Sequence, residues 1–312
     1  MLQDLKEIHM LELERLDGRT VAVTGATSGI GYFTAERLAG LGAQVIVVGR
    51  SEKRGRHAID LLPHPERHRF LEMDLTDVDS VRAAGEELRD MAHLDGLVMN
   101  AGLIAAPKSY TQGPFDAEIT VGTNVLSHIE LLRLALPALE RAQHARVVSI
   151  GSMLTRRIQF DHTNWLSQKS YRPRVAYAMS KHATEILGFE LSRRLQATSS
   201  SVESVVAHPG GAIDALTPDR PGLHTRSTIL RASARLLGPA VSTLAQGKDS
   251  AADPAVAAIA AIDLPRETYI GPQRVTSGPA MITQPVSTSQ DPELGSLIWN
   301  ETERILQAPI FD

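Results

Sequence analysis

Thr24-Gly25-Ala26-Thr27-Ser28-Gly29-Ile30-Gly31 follows a short β-branched run, Thr20 to Val23, and opens a stretch of helical periodicity from Ile30 to Leu41. A β-branched run with turn signals after it reads as a strand. The helical stretch ends at Gly42, a residue suited to a C-cap. The glycines allow a tight turn and close backbone approach, and the first N–H groups of the helix can receive a pyrophosphate. The spacing is Gly-x-x-x-Gly-x-Gly, which is not the common dinucleotide fingerprint. Such a turn says little alone and more at the first βα junction of an alternating chain.

The alternation continues outward from that junction. Gln44 to Val48 is apolar almost throughout, the mark of a strand buried on both faces. Ser51 to Leu61 reads as helix, Arg69 to Met73 as strand, Asp77 to Met91 as helix and Leu94 to Met99 as strand. Ile119 to Leu139 reads as one long helix with Pro137 near its end. Arg146 to Ile150 and Val202 to Ala207 are strands on either side of a helix from Val175 to Gln196. Ala251 to Ile262 is an Ala-rich helix with Asp253-Pro254 at its start, and Thr268 to Ile270 is a last strand. Strict alternation means right-handed βαβ crossovers. The expected fold is a single-domain, doubly wound α/β Rossmann fold over residues 1–312, with a parallel, mostly seven-stranded sheet and helices on both faces. Residues 1–17 read as an N-terminal arm packing on its own domain. The Pro- and Gly-containing stretch 212–248, helical near Ser227 to Leu237, reads as a substrate lid or a surface loop.

Composition narrows the function classes. Of 312 residues, 43% are hydrophobic and 22% charged, as in ordinary globular proteins. A net charge of -4 offers no field for nucleic acid or an anionic membrane. Zero cysteines exclude disulfides, thiolate zinc sites and thiol nucleophiles. No apolar run approaches the ~20 residues that span a bilayer. Charges spread from Asp4 to Arg15 do not suit a signal peptide, so a cytoplasmic protein is expected. The eleven histidines show no metal-ligand spacing. His64 and His68 are four apart but flank Pro65, and His182 points to a different helix face from Lys181.

Tyr177 and Lys181 lie four residues apart on a predicted helix, one above the other on one face. Alone they read as a surface Tyr and a solvated Lys. Beside a nucleotide turn they read differently: an ammonium held near a phenol favours phenolate and lets the pair trade a proton near pH 7.

The Gly-x-x-x-Gly-x-Gly turn, Asn100-Ala101-Gly102 after the fourth strand and Tyr-x-x-x-Lys together resemble the short-chain dehydrogenase/reductase family, from about Thr20 to Tyr269. Ser170-Tyr171-Arg172-Pro173, Ser180-Lys181, Glu190 to Leu195 and Leu297-Ile298-Trp299 look like its retinol-dehydrogenase-like and protochlorophyllide-reductase-like branch. The light-driven members of that branch rely on a Cys, which this chain lacks.

The resemblance implies residue roles. Tyr177 matches the general acid or base, and Lys181 the residue that lowers its pKa and binds the nicotinamide ribose. Ser152 matches the Ser that bonds the substrate oxygen; the family usually shows two adjacent serines, and Gly151 replaces the first. Asn124 matches the Asn of a water-filled proton relay. Gly25, Thr27, Ser28, Gly29, Ile30 and Gly31 would hold the cofactor's phosphates. Asp74 and Leu75 would meet its adenine, Asn100, Ala101 and Gly102 its adenine ribose, and Pro209 and Gly210 its nicotinamide. Where an acidic residue would select NAD, the chain has Gly49-Arg50-Ser51. A guanidinium suits a 2′-phosphate, so NADP is expected, NAD remaining open, with Arg50 discriminating. The family often has a Thr four residues after Gly210; here Asp214 stands there, or the register slips towards Thr217.

These expectations describe an oxidoreductase moving a hydride between nicotinamide and a mostly apolar alcohol, ketone or aldehyde. Ile213, Leu216, Leu223, Ile229 and Leu230 of the lid would supply apolar surface. The family's long helices make a homodimer or homotetramer compatible with the sequence. Two other readings stay open: an epimerase or dehydratase with tightly held cofactor, and a non-enzymatic NADP sensor, against which the complete Asn124-Ser152-Tyr177-Lys181 set speaks. His162 and Trp165 lie in the segment before Tyr177, where Trp165 either lines the site mouth or packs inside.

Overall fold

The computed structural model describes residues 11–218, 220 and 245–311. Most of the expected lid, including Leu223, Ile229, Leu230 and the helical piece near Ser227 to Leu237, lies outside the described residues. So do the first ten residues of the arm. In the described part of the arm, Glu14 N–H bonds the Ala260 carbonyl at 2.8 Å, and Leu16 is fully buried.

Eight strands form one sheet: β1 (Thr20–Thr24), β2 (Gln44–Gly49), β3 (Arg69–Glu72), β4 (Gly96–Met99), β5 (Ala145–Ile150), β6 (Val202–Ala207), β7 (Tyr269–Pro272) and β8 (Ala280–Ile282). Their order is β3-β2-β1-β4-β5-β6-β7-β8. The first seven are parallel, and β8 adds an antiparallel edge that the pattern of short apolar runs does not announce. The order reverses between β1 and β4. In such sheets the crevice beyond the carboxyl ends of the strands at that reversal receives ligands.

Helices α1 (Gly29–Gly40) and α2 (Glu52–Asp60) cover one face together with α7 (Asp253–Ala260). The other face carries α3 (Val78–Arg89), α4 (Ile119–Val121), α5 (Ser127–Glu140) and α6 (Pro173–Ala197). β2 shows why its run is continuously apolar. Val45 and Val47 enter the core under α1, while Ile46 and Val48 enter the core under α3 and α5. Successive side chains point to opposite faces, and both faces are covered. Each such burial contributes roughly 1.5–3 kcal/mol.

Two features differ from the expected elements. The single helix Ile119 to Leu139 is interrupted by one wide π-helical turn, Gly122–Leu126, between α4 and α5. Gly122 lies hard against Pro114, where a Cβ would fall 2.7 Å from its carbonyl oxygen. Such turns recur at functional sites because they re-aim one side chain; here the residue is Asn124. Second, α8 (Pro292–Leu306) closes the chain. Asp291 caps it through the Glu293 and Leu294 amides. Ile298 and Trp299 are fully buried against α6, with the Arg194 guanidinium 4.6 Å from the Trp299 ring centre. α8 thus covers an outer stripe of α6.

Candidate active site

α6 begins at Pro173, whose missing N–H costs nothing at a first helical position. Its first three turns bring Tyr177 and Lys181 to the carboxyl end of β5. The Lys181 ammonium donates to the Ile150 carbonyl at 2.8 Å, and its side chain is buried. Burial pulls its pKa from 10.5 down to about 8, with Glu185 pulling it back up. The Tyr177 phenol is pushed upward by burial, with the facing Ser152 hydroxyl drawing it down. In this arrangement the Lys181 ammonium addresses the strand end, so desolvation governs the phenol. Lys181 is not among the groups that shift the Tyr177 phenol here, so the acidification expected from it is not seen.

Ser152 opens the turn after β5. Its hydroxyl accepts from the Leu154 N–H at 3.3 Å, and its own N–H bonds Glu185 Oε1 at 3.2 Å. Asn124 is buried behind the pair. Its Oδ1 accepts from Leu103 N–H at 2.7 Å, and its amide donates to Leu103 O and to Ser180 Oγ at 3.1 Å. Ser180 Oγ donates in turn to the Tyr177 carbonyl at 2.8 Å. The side chain therefore ties the loop after β4 to the turn of α6 that carries Tyr177. The Asn124 carbonyl lies 3.0 Å from His128 Nδ1, and His128 Nε2 lies 3.0 Å from Thr24 Oγ1. Burial holds His128 near 4 and therefore neutral, so Nδ1 donates to the carbonyl and Thr24 donates to Nε2. Thr24 Oγ1 also accepts from the Asn100 and Ala101 amides, each at 2.9 Å. One hydrogen-bonded path thus runs from the Gly-rich turn to Tyr177.

The Gly-rich turn is built to admit a backbone-close ligand. Gly25 and Gly29 have φ of +69° and +63°, which L side chains rarely adopt. A Cβ on Gly31 would fall 2.5 Å from Asn100 Nδ2 and 2.6 Å from the Gly25 oxygen. Ser28 makes no side-chain cap and the first turn of α1 has no acidic residue, so its N–H groups are open to an anion. Thr27 packs on Gly49, where a Cβ would lie 2.7 Å from its methyl. Ile30 is half-buried at the helix start. A dinucleotide's phosphates fit this cradle. Lys248, on the far side, passes within 4.0 Å of the Cβ position of Gly29 and ion-pairs with Asp214.

Around the expected adenine end, Arg50 follows β2 with its side chain 67% exposed, 3.9 Å from Asp74 Oδ2. The other Asp74 oxygen accepts from Thr76 N–H at 2.9 Å, and Asp77 caps α3. Leu75 is buried and offers its carbonyl to Ser127. The Asn100 amide donates to the Thr24 carbonyl at 2.9 Å, which makes it a brace between β1 and β4. Ala101 presses on Gly25, and Gly102 lies against Asn124. At the other end, Pro209 O accepts from Gln246, and Gly210 takes a φ of +70°. The Thr217 hydroxyl is buried, donates to Ile213 O and accepts from Lys248 N–H. Asp214 ion-pairs with Lys248, which answers its charge.

The sequence profile of the short chain dehydrogenase family matches residues 19–217. The chain belongs to the short-chain dehydrogenase family. It is 33% identical to a polyprenol dehydrogenase of Mus musculus over 301 residues, 93% of this chain and 84% of the relative. It is 31% identical to retinol dehydrogenase 13 of Homo sapiens over 305 residues, covering 94% and 87%. An uncharacterised protein from Mycobacterium paratuberculosis superposes with a TM-score of 0.75 at 29% identity, covering 96% and 97% of the two chains. These likenesses carry the retinol-dehydrogenase-like branch and an NAD(P)-dependent oxidoreductase.

Within this dehydrogenase, several side readings of the sequence resolve. Trp165 does not line the site: it is buried, its indole donating to Glu301 at 2.7 Å. His182 packs on Phe160 and meets Thr288. His68 accepts from Val45 N–H. Among the described residues no cluster has the donors for a metal ion, and no helix is long and apolar enough to cross a membrane. The sequence reading missed Glu185, His128 and Lys248. Glu185 carried one signal, a carboxylate four residues beyond the Lys on the same helix face.

Proposed function

We propose that this dehydrogenase is NADP-dependent and interconverts an apolar alcohol with its carbonyl, using Asn124, Ser152, Tyr177 and Lys181. The observation that carries the reading is the convergence of the Tyr177 phenol, the Ser152 hydroxyl and the buried Lys181 at the carboxyl end of β5, beside the Gly-rich turn. When bound there, the nicotinamide supplies or accepts the hydride. In reduction, Tyr177 gives its phenolic proton to the substrate oxygen that Ser152 orients. In oxidation it takes that proton back. Lys181 keeps a cation beneath the reacting oxygens, and Asn124 fixes the turn that carries Tyr177.

Arg50 supports NADP: it is exposed at the end of β2, with Asp74 as its acidic neighbour, and can turn to a 2′-phosphate. The polyprenol and retinol dehydrogenases among the relatives support a long apolar substrate of that kind. So does the loop after Gly102, where Ile104 is 79% exposed and Tyr110 meets Tyr171 edge-on at 6.1 Å. The test is initial-rate NADPH oxidation with isoprenoid and straight-chain aldehydes, repeated with NADH. Turnover with NADPH that rises with chain length supports the reading. Preference for NADH, or for short polar carbonyls, overturns it.

A further inference from the structure

Glu185 is fully buried on α6, one turn beyond Lys181, and the chemistry above makes no use of it. Its Oε1 accepts from the Ser152 N–H at 3.2 Å and the Tyr269 hydroxyl at 3.0 Å, with the Thr155 hydroxyl, which donates to the Ser152 carbonyl at 2.9 Å, 3.4 Å away. Its Oε2 accepts from the Ser289 hydroxyl at 2.8 Å. These donors come from the turn after β5, from β7 and from the segment before α8. A carboxyl accepting so many hydrogen bonds is arranged for its charged form. Burial pushes it up to about 7, and the same donors pull it down. The space has been kept for it: a Cβ on Gly151 would lie 2.3 Å from Oε1. Gly151, directly before Ser152, is therefore the counterpart of Glu185.

We propose that Glu185 is the buried positioning residue of this catalytic centre, fixing Ser152 through its backbone amide and supplying the counter-charge that keeps Lys181 an ammonium. The inference rests on the roles of Ser152 and Lys181 proposed above. Glu185 acts through those residues and reaches neither substrate nor cofactor. The titratable groups facing it are Lys181 on its own helix and Tyr269 from β7. His208 stacks on Tyr269 at 5.2 Å, with Arg156 near both. Burial keeps His208 and Tyr269 neutral, so the buried cation whose charge Glu185 favours is Lys181, one helical turn away on the same face and not in direct ion-pair contact, its ammonium bonded to the Ile150 carbonyl.

The test is Glu185→Gln in the full chain, assayed for NADPH-dependent reduction of an apolar aldehyde from about pH 6 to pH 10. The amide oxygen preserves the Ser152 bond while the charge is lost. The expected result is a kcat lower by roughly tenfold or more, a KM for NADPH within about twofold, and an alkaline limb moved to lower pH. A second variant, Ser289→Ala, removes one donor and touches neither Ser152 nor substrate. It should raise the pH at which Glu185 becomes charged, lowering kcat by about two- to fivefold near pH 6.5 and recovering near pH 8.5. Profiles of both variants parallel to the parent's would overturn the inference; if Glu185→Gln does not fold, the Ser289→Ala profile alone decides. Tyr177→Phe is run beside them. Full activity in that variant dismisses the reading of the site itself, whereas a dead Tyr177→Phe with parent-like Glu185→Gln and Ser289→Ala dismisses only the role of Glu185.

Discussion

Replacing Gly151 with alanine tests the packing on which the catalytic turn depends. The added Cβ would fall 2.3 Å from Glu185 Oε1, 2.6 Å from its Cγ and 2.8 Å from its Cδ. Carbon contacts normally sit near 3.5–4.0 Å, so the overlap exceeds about 1 Å. An exposed Glu would swing aside. This one is fully buried and held by Ser152, Thr155, Tyr269 and Ser289. Overpacking a core costs about 1–3 kcal/mol, and loosening one of those hydrogen bonds adds about 1 kcal/mol. A loss of roughly 2–4 kcal/mol lowers Tm by something on the order of 5–10 °C in a chain of this size. Thermal unfolding by circular dichroism reads the stability, and steady-state kinetics reads the displaced Ser152. The double variant Gly151→Ala with Glu185→Ala should lose less than the sum of its parts, because the new methyl then has room. A Gly151→Ala protein with Tm within about 1 °C of the parent and unchanged kcat would refute the reasoning.

Three other outcomes follow from the same geometry. Arg50→Asp should raise the KM for NADP by roughly 10–100-fold and leave that for NAD nearly unchanged, since charge-assisted hydrogen bonds are worth about 1.5–3 kcal/mol; equal effects on both cofactors would remove Arg50 from the 2′-phosphate. Lys248→Ala, at the Gly29 end of the cradle, should raise the KM for NADPH by about tenfold with kcat within about twofold; an unchanged KM would leave Lys248 as a partner of Asp214 alone. Stability should fall as pH drops from about 6.5 towards 4, because burial holds His128, His182 and His208 near 4 against an ordinary 6.5. The unfolded chain takes up those protons first, at a cost to folding of up to roughly 1.4 kcal/mol per histidine per pH unit. Glu185, raised from 4.5 to about 7, works the other way, its contribution being lost as pH rises through that interval. Three histidines outweigh one carboxyl, so Tm should climb from about pH 5 to pH 6.5; a flat or falling Tm would contradict the burial of these imidazoles.

Much of the fold was legible because the sheet is buried on both faces. A run such as Gln44 to Val48 has no choice but an internal parallel strand, and the turn at Gly25 to Gly31 needs glycine for geometric reasons. The edge strand β8 was not legible: Ala280–Ile282 is short and partly exposed, so no apolar pattern marks it. The π-helical turn was hidden too, since Gly122–Leu126 keeps helical composition and its contacts with Pro114 and Leu103 are distant in sequence. At the site, the Tyr-x-x-x-Lys spacing brought out Tyr177 and Lys181 only in company with the Gly-rich turn at Gly25 to Gly31. Glu185 escaped because its partners come from Ser152, Tyr269 and Ser289, far apart in sequence. The upward direction of the Tyr177 shift was hidden for a related reason. The sequence shows that Lys181 is near but not that its ammonium is held by the Ile150 carbonyl.

Tyr177→Phe is the most direct test of the central claim, that a buried phenol beside Lys181 and Ser152 exchanges the substrate proton. NADPH binding is followed by fluorescence titration and turnover by loss of absorbance with an apolar aldehyde. The account predicts cofactor affinity within about twofold of the parent and turnover reduced by about a hundredfold or more. Retained turnover in the phenylalanine variant would contradict it.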